Sequence, residues 1–423
     1  MKILFLSDNF PPETNAAATR VFERAVYWAR WGHEVTVITC APNFPEGRLF
    51  AGYANRWRHV ETLSGIRVVR VKTYMAPNAG TLRRTLDFLS FMVTGFLAAL
   101  REKRPDVVAA TSPQFFAAVA GWAIGLVRRR PFVFELGDLW PKSIIAVGAY
   151  EAGLVLRTFE RLELFLYRRA ACVAALTHAF RDDLIARGIP GAKIAVVING
   201  VDLARYEPRP RDTALLKEWG LEGRFVLGYV GTHGMAHGLR NVLDAAEKLR
   251  DAPAVTFLLV GAGAERAALL AEAEARGLDN VVFAPAQPKH RMPMVWSLCD
   301  VALVHLRDTE AFREVVPSKM FEAMAMGLPL LMVLPKGEAS GIAERERVGL
   351  WVPPEDPDAL AQAARTLANQ PEVCQSMGRR SRDTAPKYSR EKQSRRMLAV
   401  LRIAAEGRGH EVASVVGVVP GAR

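Results

Sequence analysis

Val107-Val-Ala-Ala-Thr-Ser-Pro-Gln-Phe-Phe-Ala-Ala-Val-Ala-Gly-Trp-Ala-Ile-Gly-Leu-Val127 carries no charged side chain and runs straight into Arg128-Arg129-Arg130. Its length and basic flank suit a membrane-spanning helix. Thr111-Ser-Pro-Gln114 divides the run, however, into a short apolar segment and an Ala/Gly-rich helical one. A buried strand (Val107–Ala110), a polar turn and a helix (Phe115–Arg128) account for that order better, with the arginines as a solvated helix end. The apolar run Leu86–Leu100, in the helix expected at Arg84–Arg101, is too short to span comfortably. The stretch is one strand–helix unit of an α/β chain.

The same alternation extends both ways. Upstream, strands are expected at Lys2–Leu6, Val35–Thr39 and Ile66–Lys72, with an amphipathic helix at Ala18–Trp31. Downstream come the strands Phe132–Glu135, Ala171–Leu176 and Ile194–Ile198, with helices at Leu154–Arg169 and Ala179–Arg187. After Tyr206-Glu-Pro-Arg-Pro-Arg-Asp212 a second set begins, with strands at Phe225–Tyr229, Thr256–Val260, Val281–Phe283, Val301–His305 and Leu330–Leu334. Its helices are Leu239–Arg250, Glu265–Arg276, Lys319–Met326, Asp358–Asn369 and the closing Arg390–Ala405. Such alternation implies parallel sheets with helices on both faces, and the Pro/Arg-rich connection marks a domain boundary. The expected division is 1–205 and 206–389, then a closing helix at 390–408 packing back on the first domain, and a loosely held tail at 409–423. Ligands of such sheets bind beyond the carboxyl ends of the strands, so two facing halves define a cleft.

At 423 residues the chain exceeds one ordinary core, which also favours two domains. Half of it is hydrophobic and about a quarter charged, a globular balance. The net charge of +12 points to an anionic partner: nucleic acid, an anionic membrane surface or a phosphate-bearing substrate. Cys40, Cys172, Cys299 and Cys374 lie far apart without C-x-x-C spacing, and three sit in apolar or mixed contexts that read as buried thiols. A reducing compartment follows. Met1-Lys-Ile-Leu-Phe-Leu6 is too short an apolar run for a signal peptide and reads as the first strand.

Chemistry concentrates in the second half. In Glu314-Val-Val-Pro-Ser-Lys-Met-Phe-Glu322, Pro317-Ser318 reads as a helix start, with Pro in the first turn and Ser318 capping free N–H groups. Glu314 then sits on the entering loop and Glu322 one turn into the helix, with Lys319 between them. A helix N-terminus attracts phosphate, and carboxylates accept hydrogen bonds from hydroxyls. The arrangement fits a ligand with a central diphosphate and a sugar at each end, a nucleotide-sugar. Gly231-Thr232-His233-Gly234 follows a strand and precedes a helix, where glycines let backbone N–H groups approach phosphate. An ordinary βα turn would look the same. Gly261-Ala-Gly263-Ala-Glu-Arg266 also follows a strand, but Arg266 replaces the third glycine of a dinucleotide fingerprint. Gly261 therefore suggests a nucleotide cleft rather than a nicotinamide cofactor. Asp138-Leu-Trp-Pro141 follows a buried strand and sets a carboxylate beside an aromatic, a common way to hold a sugar; a buried turn carboxylate is the alternative. No two histidines have metal-ligand spacing with a carboxylate, so no metal is expected.

Further segments complete the pattern: Phe10-Pro-Pro-Glu13, Ala16-Ala-Ala-Thr-Arg20, Gly32-His-Glu-Val35, Pro42-Asn-Phe-Pro-Glu-Gly47, Thr111-Ser-Pro113, Asn199-Gly-Val-Asp202 and Tyr229-Val-Gly-Thr-His-Gly234. With the E-x7-E pair and its Pro317-Ser-Lys319 insert, they resemble the retaining family 4 glycosyltransferases of GT-B fold, particularly bacterial envelope-polysaccharide members of the L-fucosamine transferase type. What the resemblance implies is two facing Rossmann-like domains with an interdomain cleft. It also implies transfer from a nucleotide diphosphate-sugar, UDP-linked, to an acceptor hydroxyl with the anomeric configuration retained. Glu314 would contact donor-sugar hydroxyls, with Asp138 as the other catalytic carboxylate, and Glu322 would hold the ribose. N–H groups at Ser318-Lys319 and Gly231–Gly234 would grip the diphosphate, with Gly261 alongside. Asn15, Ala16 and Arg20 would lie on the acceptor side. The favoured scheme is a metal-free front-face displacement in which the departing phosphate helps deprotonate the attacking hydroxyl.

The implied acceptor is a free or polyprenyl-diphosphate-linked saccharide at the cytoplasmic membrane face, not nucleic acid. Leu82-Arg-Arg84, Arg101–Arg104 and the apolar helix between them suit peripheral docking on anionic lipid. Two departures stand out. Many relatives have a glycine pair where this chain has Asn15-Ala16, and a lysine where it has Met235. Lys319 or Arg240 would then supply the missing charge. Two other readings stay open on the sequence: a nucleotide-sugar 2-epimerase of the same architecture, and a non-catalytic nucleotide-sugar-binding protein.

Overall fold

The computed structural model describes residues 1–44, 46–76, 81–112, 114–139 and 154–416. Two compact units emerge, one of Met1–Asn199 with Arg390–Arg423, the other Gly200–Ser389. In the first, eight strands among the described residues form one sheet: β1 (Lys2–Leu6), β2 (Glu34–Cys40), β3 (Arg58–Leu63), β4 (Ile66–Val71), β5 (Val107–Thr111), β6 (Phe132–Leu136), β7 (Cys172–Ala175) and β8 (Ile194–Val196). Their order is β3-β4-β2-β1-β5-β6-β7-β8. Every residue of β5 and β6 is buried, which explains why the first half of the uncharged stretch has no polar face. Its second half, the helix Phe115–Arg128, packs Phe115, Ala117 and Ile124 onto that sheet. The helix stops where Arg129 turns to φ 52° and the Arg130 N–H returns to the Gly125 carbonyl. Among the described residues no helix is long and apolar enough to cross a membrane.

The strand pairs are parallel except β3–β4. Strand β3 escaped the sequence reading because it is an edge strand of mostly polar, half-exposed residues. Ser64 (φ 53°) and Gly65 (φ 83°) form a two-residue hairpin with both central residues at positive φ, the geometry that matches strand twist. The two faces of the sheet bury separate cores. One gathers Phe91, Ile124 and Tyr167; the other gathers Trp28, Val400 and Leu401, bringing in the helix Arg390–Ala405. Trp28 Nε1 donates to the Ser394 carbonyl at 3.0 Å. The expected loose tail needs correction. Gly409–Glu411 and Val412–Val416 are short helices whose Val412 is fully buried in that second core. Gly409 lies so close that a Cβ there would sit 2.2 Å from the Ala171 carbonyl oxygen. Residues 417–423 lie outside the described ones.

The second unit has a parallel sheet of six strands among the described residues: β9 (Phe225–Val230), β10 (Val255–Val260), β11 (Val281–Ala284), β12 (Val301–His305), β13 (Leu330–Val333) and β14 (Gly349–Val352). The order is β11-β10-β9-β12-β13-β14. It reverses between β9 and β12, and at such a switch point the departing loops diverge and leave room for a ligand at the carboxyl ends. The boundary falls at Asn199/Gly200 instead of 205/206. The Val201 N–H donates to Tyr388 O at 3.0 Å, and Tyr206 is buried. All four cysteines are buried free thiols.

Candidate active site

The loops leaving the switch point of the second sheet are tied together. The Arg307 N–H donates to Ala236 O at 3.0 Å, and His305 Nδ1 lies 2.6 Å from the His237 carbonyl. A carbonyl only accepts, so Nδ1 carries the hydrogen. Burial pushes His305 down to about 4, the ring is neutral, and Nε2 accepts from the Asn241 amide at 3.0 Å. Beneath this junction the loops after β9 and β10 stack backbone on backbone. The N–H groups of Gly231 and His233 donate to Val260 O and Ala262 O, both at 2.9 Å, and the Glu265 N–H returns to His233 O. A Cβ on Gly261 would lie 1.8 Å from Gly231 O, and one on Gly263 2.3 Å from His233 O. The two glycines therefore exist to let the loops touch, which explains Gly261-Ala-Gly263 without a dinucleotide fingerprint.

Tyr229, at the end of β9, is fully buried and donates its hydroxyl to Thr232 O at 2.8 Å. Thr232 itself is exposed. Lys319 opens the helix Lys319–Ala325 and lays its Nζ over the Tyr229 ring, 3.8 Å from the centroid. It also abuts the glycine loop, since a Cβ on Gly231 would come within 2.7 Å of Nζ. His233 (0 % exposed) and His237 pack against the same ring, each with centroids 5.9 Å away. Among the described residues, Lys319 Nζ, both ring nitrogens of His233, His237 Nδ1 and Arg266 Nε are buried without a hydrogen-bond partner. Burial lowers Lys319 to about 7, with Glu322 opposing. Burial, then the charges of Arg266 and Lys319, lowers His233 to about 4; burial, then Lys319, does the same to His237. Tyr229, His237, Arg266 and His305 were not read from the sequence as site residues. The available signal was the histidine pair four apart, directly after an apolar strand.

Glu314 ends the 3-10 turn Glu310–Glu314 and Glu322 lies in the first turn of the following helix; both are half-buried. The turn is pressed on Gly337, where a Cβ would lie 2.0 Å from Arg313 O. Ser318 stands at the cap position but has helical φ and ψ (−61°, −28°) and makes no side-chain cap bond. The expected capping is thus corrected: Pro317 starts the turn, its carbonyl accepting from the Met320 N–H at 3.2 Å. Arg240 is 71 % exposed and pairs with Glu272 at 2.9 Å, while Lys319 is the basic side chain beside the loop.

In the first unit Asp138 follows β6 and is half-buried, with the Gly137 and Asp138 N–H groups donating to Ser112 Oγ at 2.8 and 3.3 Å. Pro45, Pro113, Trp140 and Pro141 lie outside the described residues. Asn15 caps the helix Ala16–Arg30, its Oδ1 accepting from the Ala18 N–H at 2.9 Å, and Ala16 is that helix's exposed first residue. Asn15→Ala is expected to lower stability by ~1 kcal/mol in urea denaturation, with an unchanged m-value. Arg20 is the clearest correction on the acceptor side. It is 4 % exposed and spent on Glu135 (3.3 Å) and Thr111 Oγ1 (3.0 Å), inside the fold.

Residues 15–200 match the family described as Glycosyl transferase 4-like domain, and residues 212–384 the family Glycosyl transferases group 1. Both matches are to glycosyltransferase families, and together they span most of the chain. WcaI of Escherichia coli (strain K12), named for colanic acid biosynthesis, is 28% identical over 335 residues, 77% of this chain and 82% of that protein. A GDP-mannose-dependent alpha-mannosyltransferase of Mycobacterium tuberculosis (strain CDC 1551 / Oshkosh) is 28% identical over 367 residues, 85% of this chain and 87% of its own. The Anabaena HepE structure, solved in complex with UDP, aligns with a TM-score of 0.73 at 20% identity, covering 95% of this glycosyltransferase and 100% of that chain. Sucrose-phosphate synthase from Thermosynechococcus elongatus gives 0.74 at 18%, covering 95% and 98%. These likenesses establish the GT-B fold. Colanic acid and mannose stand in the relatives' names, so the family holds while the finer L-fucosamine likeness gains no support.

Proposed function

We propose that this glycosyltransferase moves a sugar, with retention, from a nucleotide diphosphate-sugar to a free or polyprenyl-diphosphate-linked saccharide in envelope-polysaccharide synthesis. One observation carries the reading: Lys319 Nζ, over the Tyr229 ring and beside Gly231 at the carboxyl ends of β9 and β12, is buried without a hydrogen-bond partner among the described residues. A buried donor left unpaired costs about 1–3 kcal/mol, and an anion with several oxygens satisfies many at once. A diphosphate is such an anion, and the Thr232 and Gly234 N–H groups of the loop, with those of Ser318-Lys319, add neutral donors, the Gly231 and His233 N–H groups being bonded to Val260 and Ala262. Glu314 takes the donor-sugar hydroxyls, Glu322 the ribose, and Asp138 acts on the acceptor side. Charge growing on the departing diphosphate is met by fixed donors, and that phosphate takes the proton of the attacking hydroxyl, with no resident metal. UDP is the expected nucleotide, though one relative is named for GDP-mannose.

Contact with the inner face of the cytoplasmic membrane is part of the same proposal. Leu86, Val93 and Leu97, 45%, 52% and 46% exposed, recur at helical spacing along Thr81–Ala99. Exposed Arg83, Arg84, Arg101, Lys103 and Arg104 flank that stripe. The test is a panel of UDP- and GDP-sugars, read first by thermal shift and then by transfer to acceptor. A matching donor is expected to raise the melting temperature, and Glu314→Ala to cut kcat/KM by about 100-fold without loss of stability. No shift with any donor, or full activity in Glu314→Ala, would remove the assignment.

A further inference from the structure

We infer that Lys319 is the group that holds the donor diphosphate in place of the lysine absent at Met235, and that at alkaline pH it is a neutral amine in the free enzyme and takes up a proton as the nucleotide binds. The inference rests on the nucleotide-sugar reading above and adds the protonation chemistry of that site.

Geometry supplies the first half. Met235 is 66% exposed and Arg240 is paired with Glu272, so neither serves the glycine loop as a cation. Lys319 reaches the loop from a different element, the helix after β12, with its Nζ between the Tyr229 face and Gly231. The surroundings supply the second half. Strand β9 presents Tyr229, the loop presents His233 and His237, β12 presents His305, and its own helix presents Glu322. All three histidines are held neutral, and Arg266 adds positive charge beside His233. Glu322 and the Tyr229 ring face favour the ammonium, and burial outweighs them, leaving Lys319 at about 7. A diphosphate places several negative charges at the same spot and reverses that balance. The Nζ lone pair then accepts a proton from solvent; no other bond forms or breaks.

The sign follows from linkage. Below pH 7 the ammonium already exists and binding takes up no proton there. Above it the amine must be protonated on binding, so affinity falls by roughly tenfold per pH unit. Calorimetric titration with UDP-glucose and with GDP-mannose, whose diphosphate diesters do not titrate in this range, from pH 6 to 8.5 in buffers of different ionisation enthalpy, reads both quantities. The expected result is a Kd that rises above pH 7, with close to one proton taken up at pH 8. Lys319→Arg, permanently charged, is expected to bind with a flat profile and no uptake, and Lys319→Met to bind at least tenfold more weakly, also flat. Thermal melts of each variant check that it is folded. A flat wild-type profile, or uptake that persists in Lys319→Arg, would overturn the inference while leaving the donor site in place. If neither nucleotide binds at any pH, the nucleotide-sugar reading itself fails.

Discussion

Replacing Glu135 with leucine is expected to destabilise the first unit by about 3–5 kcal/mol, because it leaves buried guanidinium groups without a counter-charge. Glu135 lies in β6 at 1% exposure, bonded to Arg24 and within 3.3 Å of Arg20 Nε. Arg24 also donates to the carbonyls of Val197 and Ile198 at 3.3 and 3.2 Å, and Arg20 to Thr111. One carboxylate therefore joins the helix Ala16–Arg30 to β5, β6 and the segment after β8. Burial, together with the charges of Arg20 and Arg390, pulls Arg24 down to about 10 even with Glu135 beside it. Without Glu135 that balance worsens. Urea denaturation of the variant measures the loss. Pairing Glu135→Leu with Arg24→Leu should recover part of it, since a buried ion pair replaced by apolar groups is often neutral. No recovery would mean that packing, and not charge, was lost.

The same site predicts an acid limb. Burial alone would push the Glu135 carboxyl up, but the Arg20 and Arg24 charges outweigh it and hold the group below the ordinary carboxylate range. A carboxyl whose folded pKa is depressed stabilises fully above its unfolded value and loses that contribution as pH falls through the folded one. The gap between wild type and Glu135→Leu is therefore widest near neutrality and closes in acid.

What the sequence reveals and hides follows from these contacts. Strands such as Val107–Thr111, Phe132–Leu136 and Val301–His305 are legible because both faces are covered, so each is an unbroken apolar run. Glu314, Lys319 and Glu322 are legible because they fall within one short stretch on a loop and the helix it enters. Arg20 misled because its partner, Glu135, is brought to it only by the fold; Arg24 and Glu135 are 111 positions apart. His233, His237, Arg266 and Lys319 converge from separate elements, and no spacing announces that their nitrogens lack hydrogen-bond partners among the described residues. The buried end segment was hidden for a simpler reason: Val412 and Val416 are too few to form a periodic pattern.

Gly261→Ala is expected to lower kcat/KM by about 100-fold, the scale on which a displacement of roughly 1 Å acts at a reacting site. The added methyl would lie 1.8 Å from Gly231 O and 3.2 Å from His233 Nε2, at a backbone φ of 156° that side-chain-bearing residues rarely adopt. The obstruction is backbone, so no rotamer change relieves it, and the Gly231–Gly234 loop must lift. Lifting it stretches the bonds from Gly231 to Val260 and from His233 to Ala262. It also separates the loop's N–H groups from Lys319, which is anchored on another helix and does not follow. Stability is expected to fall by about 1–3 kcal/mol from overpacking, and UDP affinity by more than stability alone explains. Gly341→Ala is the control: open space surrounds it within the helix Glu338–Glu346, and Ala there should add about 0.5–1 kcal/mol with activity unchanged. A Gly261→Ala enzyme that stays folded, binds UDP like its parent and turns over at the same rate would mean that the diphosphate does not sit on this loop.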